Sequence, residues 1–215
     1  MSQWADKLAG KFIVIDGPDG AGKSTQVNRL AVALRAEGLT VCQVRDPGGT
    51  AVGDRIRQIL LDNRHGEMSV PCELMLYMAS RAQLAAEVIR PALAAGQCVL
   101  ADRYVSATIA YQGAGGVDAE TVRQAARIAV GATWPDLTVI LDLPADVGLA
   151  RAGRADGHDR MEAKGADFHR AVRHLFLEQA REDPAGFAVV DATGEVEQVH
   201  SRVRGALEGW VRRDD

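Results

Sequence analysis

The stretch "FIVIDGPDGAGKST", Phe12 to Thr25, constrains this chain more than any other. It contains Gly17-x-x-x-x-Gly22-Lys23-Ser24, the pattern of a phosphate-binding P-loop. Glycines allow the backbone to curl until successive N–H groups point inward at a β-phosphate. Lys23 then reaches the β and γ oxygens, and the Ser24 hydroxyl is placed to ligate Mg²⁺. The flanks suit that use. A β-rich run precedes the loop, and Val27, Leu30, Ala31 and Leu34 follow at the spacing of one helix face. A glycine-rich turn with a solvated lysine is the plainer alternative, and the strand before and helix after favour the nucleotide site. The expectation is a nucleoside triphosphate held by Gly17, Pro18, Asp19, Gly20, Ala21, Gly22, Lys23, Ser24 and Thr25.

Four further strand-like runs, "TVCQV", "CVLAD", "LTVILDL" and "FAVVDA", recur with helical patterns between them. Such alternation means β-α-β crossovers, hence an α/β fold with a parallel five-stranded sheet flanked by helices. The longest helical stretch runs from Cys72 to about Ala95, entered through Pro71 and left at Gly96. With 215 residues, no repeat and no Pro/Gly/Ser-rich linker, residues 1–215 are expected to form a single domain. A formal charge of −4 argues against a general nucleic-acid surface. Cys42, Cys72 and Cys98 are odd in number and scattered, which suits neither a zinc site nor a disulfide frame, and two of them belong to strands of the core. "MSQWADKLAG" has no apolar signal core, and no stretch approaches the ~18 apolar residues of a membrane span. A cytoplasmic, non-membrane protein is expected.

Two loops stand out, "DPGGTAVG" (Asp46 to Gly53) and "RAGRADGHDR" (Arg151 to Arg160). Ligands gather beyond the carboxyl ends of strands in open parallel sheets, where both loops fall. Phosphoryl transfer is mostly positioning and charge neutralisation, and planar guanidinium groups bind phosphate oxygens in pairs. Arg151, Arg154 and Arg160, with Gly153 and Gly157 as hinges, therefore read as a mobile lid at about residues 151–160. A solvated linker with scattered charges is the alternative. A kinase acting on a hydroxyl needs a base, whereas a phosphate monoester is already anionic and needs cations that bring two phosphates together. Arg57, Arg81 and Arg103 could supply them, although the first two could also be exposed charges on helices. Asp19, Asp46 and Asp102 are candidates for holding metal or sugar hydroxyls. Asp102-Arg103 ends a buried-looking strand, where charge seldom sits without purpose.

These motifs, with "RDPGGT", "ELMLYMASRAQ", "VLADRYVSATIAYQGAGG", "WPDLTVILDL" and "GHDRMEAKGADFHRAV", resemble the bacterial thymidylate kinases over nearly the whole chain. The pairing of D-R-Y with A-Y-Q-G is far more specific than the P-loop. The resemblance implies a P-loop nucleoside monophosphate kinase fold, transfer of phosphate from ATP to dTMP giving dTDP and ADP, Mg²⁺, and a homodimer. It implies Asp19 for the sugar 3′-hydroxyl, Arg57 and Arg103 for the dTMP phosphate, and Tyr77 for stacking on thymine. Arg81 then reads the base oxygen O4, Thr108 and Gln112 make polar contacts to the base, and Tyr111 crowds the sugar 2′ position. Gly20 stands where some members carry a P-loop arginine, which leaves the lid to supply it: Arg154 first, Arg160 second, with Arg151 on the adenine side. The catalytic set is then Lys23, Arg103, Arg154 and Arg160, and the metal residues are Ser24 and Asp102. Departures are small: Asp46 and Asp16 where glutamate is usual, Tyr77 for phenylalanine, and Met161 for isoleucine.

Three other functions compete. A deoxynucleoside kinase of this fold would carry a base carboxylate soon after the second strand, which Asp46 keeps open, and E-R-S in place of D-R-Y. A GTPase needs N-K-x-D, and the chain has no N-K pair. A non-catalytic nucleotide-binding module would lack Lys23 or the lid arginines.

Overall fold

A computed structural model describes residues 3–152, 160–161 and 164–213. In chain order the elements are α1 (Gln3–Asp6), β1 (Phe12–Asp16), α2 (Lys23–Ala36), β2 (Val41–Arg45), α3 (Ala51–Leu61) and α4 (Val70–Leu84). There follow α5 (Arg90–Ala94), β3 (Cys98–Asp102), α6 (Val105–Ala114), α7 (Ala119–Val130), β4 (Leu137–Asp142), α8 (Ala145–Ala152), α9 (Ala166–Glu182), β5 (Phe187–Asp191) and α10 (Val196–Val211). All five expected strands form, and they pair in parallel in the order β2-β3-β1-β4-β5.

Burial explains the apolar runs. Every residue of β1 and β3 is buried, because helices cover both faces of the sheet and no face is left to alternate with water. One layer packs α2 and α10 on the sheet through Leu30, Leu34, Val203 and Leu207. The opposite layer uses Leu74, Met78, Leu84, Ile89 and Val122, and Phe176 of α9 closes a third cluster against α6. Cys98 lies in that core, Cys42 on β2 is only half-buried, and Cys72 is exposed at the start of α4.

The single helix expected over Cys72–Ala95 is interrupted. It starts at Val70, where the Ser69 hydroxyl accepts from the Cys72 N–H at 3.4 Å, and a π-helical turn at Ala85–Ile89 separates α4 from α5. The cause is Pro91, the second residue of α5: it has no N–H to give the preceding turn, and its ring crowds that turn's carbonyl.

β1 occupies the centre of the sheet, so the loop that leaves it is flanked by the ends of β3 and β4. That placement puts the P-loop at the crevice where strand order diverges.

Candidate active site

Backbone ties the strand ends together before any side chain takes part. The Asp46 N–H donates to the Asp102 carbonyl at 3.0 Å, and the Arg103 N–H to the Ile15 carbonyl at 3.1 Å. Asp16 is fully buried and accepts from the Gly17 N–H (2.9 Å) and the Ser106 hydroxyl (2.6 Å), which pins the start of the P-loop to the first turn of α6. Gly20 sits at φ 74°, and a Cβ there would lie 2.1 Å from the Gly148 carbonyl oxygen. α8 thus packs directly on the P-loop, and an arginine at position 20 has no room.

Lys23 is buried, its ammonium donating to the Pro18 carbonyl at 2.7 Å and lying 4.0 Å from Asp19 Oδ1. Burial, with repulsion from Arg103, brings its pKa from 10.5 down to about 8 against the pull of Asp19 and Asp102. A polyphosphate beside the amine restores the charged form. Below pH 8 the amine is charged in both free and bound states and no proton moves. Above pH 8 the free enzyme has lost the proton and must regain it on binding. Calorimetric titration of ATP at pH 8.5, in buffers of different ionisation enthalpy, is therefore expected to show net proton uptake that fades by pH 7. Identical heats in every buffer would contradict it.

The Ser24 hydroxyl donates to Asp102 Oδ2. Two hard oxygens, side by side at the end of the P-loop, fit Mg²⁺, which takes one or two protein oxygens and fills its octahedron with water and phosphate.

Arg103 follows β3 with φ 70°, a left-handed conformation that costs a residue with a Cβ about 1–2 kcal/mol. Its side chain accounts for the strain. Nη2 pairs with Asp19 Oδ1 and donates to the Tyr111 hydroxyl at 3.1 Å. Nη1 lies 3.5 Å from Asp16 Oδ1 and donates to the Gly17 carbonyl, while the guanidinium rests 4.8 Å from the Tyr111 ring centroid. Burial opposes charge on Asp19, but Arg103 and Lys23 outweigh it and hold the carboxyl below its ordinary range.

Beside the P-loop opens a cavity. Asp19, Arg57, Tyr77, Arg81, Arg103, Thr108, Tyr111 and Gln112, drawn from the P-loop, α3, α4, the end of β3 and α6, all line it. Arg81 is almost wholly buried, not an exposed helix charge. Its Nε donates to Asp46 Oδ2 at 2.6 Å, and its Nη2 to the Thr108 hydroxyl (2.9 Å) and the Tyr104 carbonyl (3.0 Å). Among the described residues, Nη1 meets only the Met78 sulfur, at 3.5 Å. Arg57 is half-buried, and its Nη1 donates to the Pro47 carbonyl at 2.9 Å.

The thymidylate kinase family profile matches residues 15–203 of this chain. The chain belongs to the thymidylate kinase family. It is 44% identical to a thymidylate kinase of Pseudomonas putida over 207 residues, covering 96% of this chain and 99% of that one. It is 43% identical over 210 residues to one from Desulfovibrio desulfuricans, covering 94% and 97% respectively. The crystal structure of thymidylate kinase from Ehrlichia chaffeensis superposes with a TM-score of 0.77 at 27% identity, over 93% of this chain and 99% of that one.

Of the lid arginines that this thymidylate kinase family resemblance implied, Arg154 lies outside the described residues. Arg151 lies in the last turn of α8 with its guanidinium donating to the Ala192 carbonyl at 3.3 Å, beside the end of β5. Arg160 is engaged by α3 and α4. Its Nε donates to the Leu60 carbonyl at 3.0 Å, and it forms a buried ion pair with Glu73 of α4. A catalytic part for Arg160 requires it to leave that position.

Three site residues, Glu73, Ser106 and His169, are not among those the sequence singled out. Glu73, Tyr77 and Arg81 stand at i, i+4 and i+8, so α4 turns one polar stripe to the site, and that spacing could have flagged Glu73. Ser106 and His169 carry no such signal. His169 is buried in the first turn of α9, with Nδ1 4.0 Å from Asp19 Oδ2, and only the packing of α9 brings it there.

Proposed function

We propose that this chain transfers the γ-phosphoryl group of ATP to dTMP, giving dTDP and ADP, with the roles described below. The carrying observation is the cavity lined by Arg57, Arg81 and Arg103 next to Lys23 of the P-loop. Each of its two acids pairs through one oxygen with an arginine that competes for the carboxylate, Asp46 Oδ2 with Arg81 and Asp19 Oδ1 with Arg103. A nucleoside hydroxyl would need a free base, whereas a phosphate monoester does not, and this favours the monophosphate over the nucleoside as acceptor.

An oxygen of the dTMP phosphate bonds to the γ-phosphorus as the bond from that phosphorus to the β–γ bridging oxygen breaks, and its electron pair leaves with ADP. Arg57 and Arg103 hold the acceptor phosphate, Lys23 holds the β and γ oxygens, and Arg154 of a lid at about 151–160 meets the charge that spreads over the moving group. Ser24 and Asp102 would hold Mg²⁺, which when bound offsets charge on the β- and γ-phosphates. Asp19 accepts the sugar 3′-hydroxyl, and Arg151 borders the adenine.

Base choice follows from the cavity wall. Tyr77 stacks on thymine, worth about 1–3 kcal/mol by analogy with aromatic stacking on nucleic acids. Arg81 donates from Nη1 to O4. Cytosine has an amino group there, so donor faces donor, a stronger rejection than loss of a methyl contact. Tyr111 leaves no room for a 2′-hydroxyl. In a coupled assay of ADP release we expect dTMP first, dUMP weaker by the methyl contact, UMP below dUMP and dCMP very poor, with thymidine inert. Arg81→Ala should erase most of the preference over dCMP. Thymidine outpacing dTMP, or dCMP rivalling dTMP, would sink this reading.

The functional unit is a homodimer formed by a single domain. Val52 and Ile59 of α3, Met75 of α4 and Ile128 of α7 are exposed, Ile128 by 90%, and both α3 and α7 pack against α4. Sedimentation at twice the chain mass is expected, with Ile128→Lys shifting the protein to monomer; a monomeric wild type at micromolar concentration refutes the dimer. We place the enzyme in the cytoplasm with ATP and dTMP as partners and neither nucleic acid nor membrane. Among the described residues no helix is long and apolar enough to cross a membrane.

A further inference from the structure

We infer that Glu73 is a positioning residue that decides which atom of Gln112 meets the base, and so sets the donor–acceptor sense of the nucleotide pocket. The inference rests on the dTMP reading above and adds to it a residue that lies outside the cavity wall.

Glu73 is on α4, two helical turns before Arg81, with its side chain 5% exposed. Its Oε1 accepts from Gln112 Nε2 at 2.6 Å, and its Oε2 pairs with Arg160. A glutamine amide is ambivalent, because its oxygen accepts, its nitrogen donates, and a half-turn exchanges them. Glu73 removes the ambivalence. A carboxylate has only acceptors to offer, so it must face the amide nitrogen of Gln112. Its other oxygen meets a guanidinium, which has only donors, so a proton placed on Glu73 would find no acceptor in Arg160. The Gln112 carbonyl oxygen is what remains for the cavity that this buried side chain lines.

That oxygen accepts from an N3–H. Thymine and uracil carry one, whereas cytosine has a bare acceptor at N3 and would face Gln112 acceptor to acceptor. Reversing the amide to suit cytosine would turn its oxygen on the Glu73 carboxylate, between two buried side chains. Arg81 and Gln112 thus test two different atoms of the base, and Glu73 holds the second test in register without touching substrate.

The experiment measures kcat/KM for dTMP and dCMP on wild type, Gln112→Leu, Glu73→Gln and the double variant. The ratio for two acceptors is independent of the fraction of active enzyme, and an effect on Arg160 common to both acceptors cancels from it. Gln112→Leu should lower the dTMP preference about tenfold or more, and Glu73→Gln by a similar factor, chiefly through the KM values. The double variant should match Gln112→Leu alone, because Glu73 acts only through Gln112. Glu73→Asp, which keeps the charge but withdraws it by a methylene, should also lower the ratio and serves if Glu73→Gln does not fold. An unchanged ratio in Glu73→Gln and Glu73→Asp, with Gln112→Leu lowered, overturns the inference and leaves the dTMP reading standing. Multiplying effects in the double variant overturn it too. A wild type without preference for dTMP over dCMP brings down the base reading itself, and this inference with it.

Discussion

Lys23→Ala should lower kcat on the order of 10³-fold or more while leaving the fold at least as stable as wild type near pH 7. The first part follows from charge. The amine is the one P-loop side chain long enough to reach the β and γ oxygens, in a site where burial strengthens every electrostatic contact. The second part follows from burial. A folded-state pKa of about 8 against an ordinary 10.5 means that folding disfavours the charged amine. That cost is fully present below pH 8 and is relieved as pH rises from 8 towards 10.5, so removing the amine removes a burden at neutral pH. Asp19 keeps Arg103 as a partner in the variant. Single-turnover kinetics and thermal melts at pH 7 read the two parts separately. Near-normal turnover would contradict the P-loop role, and a collapse in melting temperature would contradict the electrostatic account.

Arg103→Ala is expected to do the reverse on stability and still remove activity. Its guanidinium is the shared cation of Asp16, which is fully buried, and Asp19, whose side chain is 12% exposed. Stripping one partner from a buried ion pair costs about 3–5 kcal/mol, since the remaining charge is left without compensation. Asp16 and Asp19 can escape by taking up protons, so the deficit should shrink as pH falls from 7 towards 5. Alanine keeps the Cβ that strains φ 70°, and glycine does not; Arg103→Gly should thus be about 1 kcal/mol more stable than Arg103→Ala. Both variants lose a grip on the acceptor phosphate, and kcat/KM for dTMP should fall by about 10²–10³. Urea melts at pH 5 and 7, with steady-state kinetics, decide it. A variant as stable as wild type would show that the two carboxylates do not depend on this arginine, and an unchanged kcat/KM would remove it from the site.

The pairing of Glu73 with Gln112 shows why part of the site was invisible in the chain. An acid in "CELMLYMASRAQ" is compatible with a solvated helix position, and nothing local says that its partner Gln112 lies 39 residues away on α6. Arg160 is a parallel case. Its company in the arginine-rich loop suggests the ATP side, yet its position against Leu60 and Glu73 depends on how the chain after α8 crosses α3 and α4. Asp46 shows the same limit from another side. Its residue type left open a catalytic base, and only the fold reveals that one of its oxygens is taken by Arg81.

What the chain determined by itself are the features governed by nearest neighbours along it. Buried parallel strands announce themselves as unbroken apolar runs, as in "FIVID" and "CVLAD", because both faces of the sheet are covered. The P-loop needs glycine conformations and a Lys-Ser pair at fixed offsets, and both are written in consecutive residues. Tertiary structure alone decided which charged and polar groups pair. Asp16 with Ser106, Asp19 with Arg103 and His169 close by, Arg81 with Asp46, and Glu73 between Gln112 and Arg160 are contacts made across separate elements. Their energies depend on distance and burial in three dimensions, and spacing along one strand or helix encodes neither.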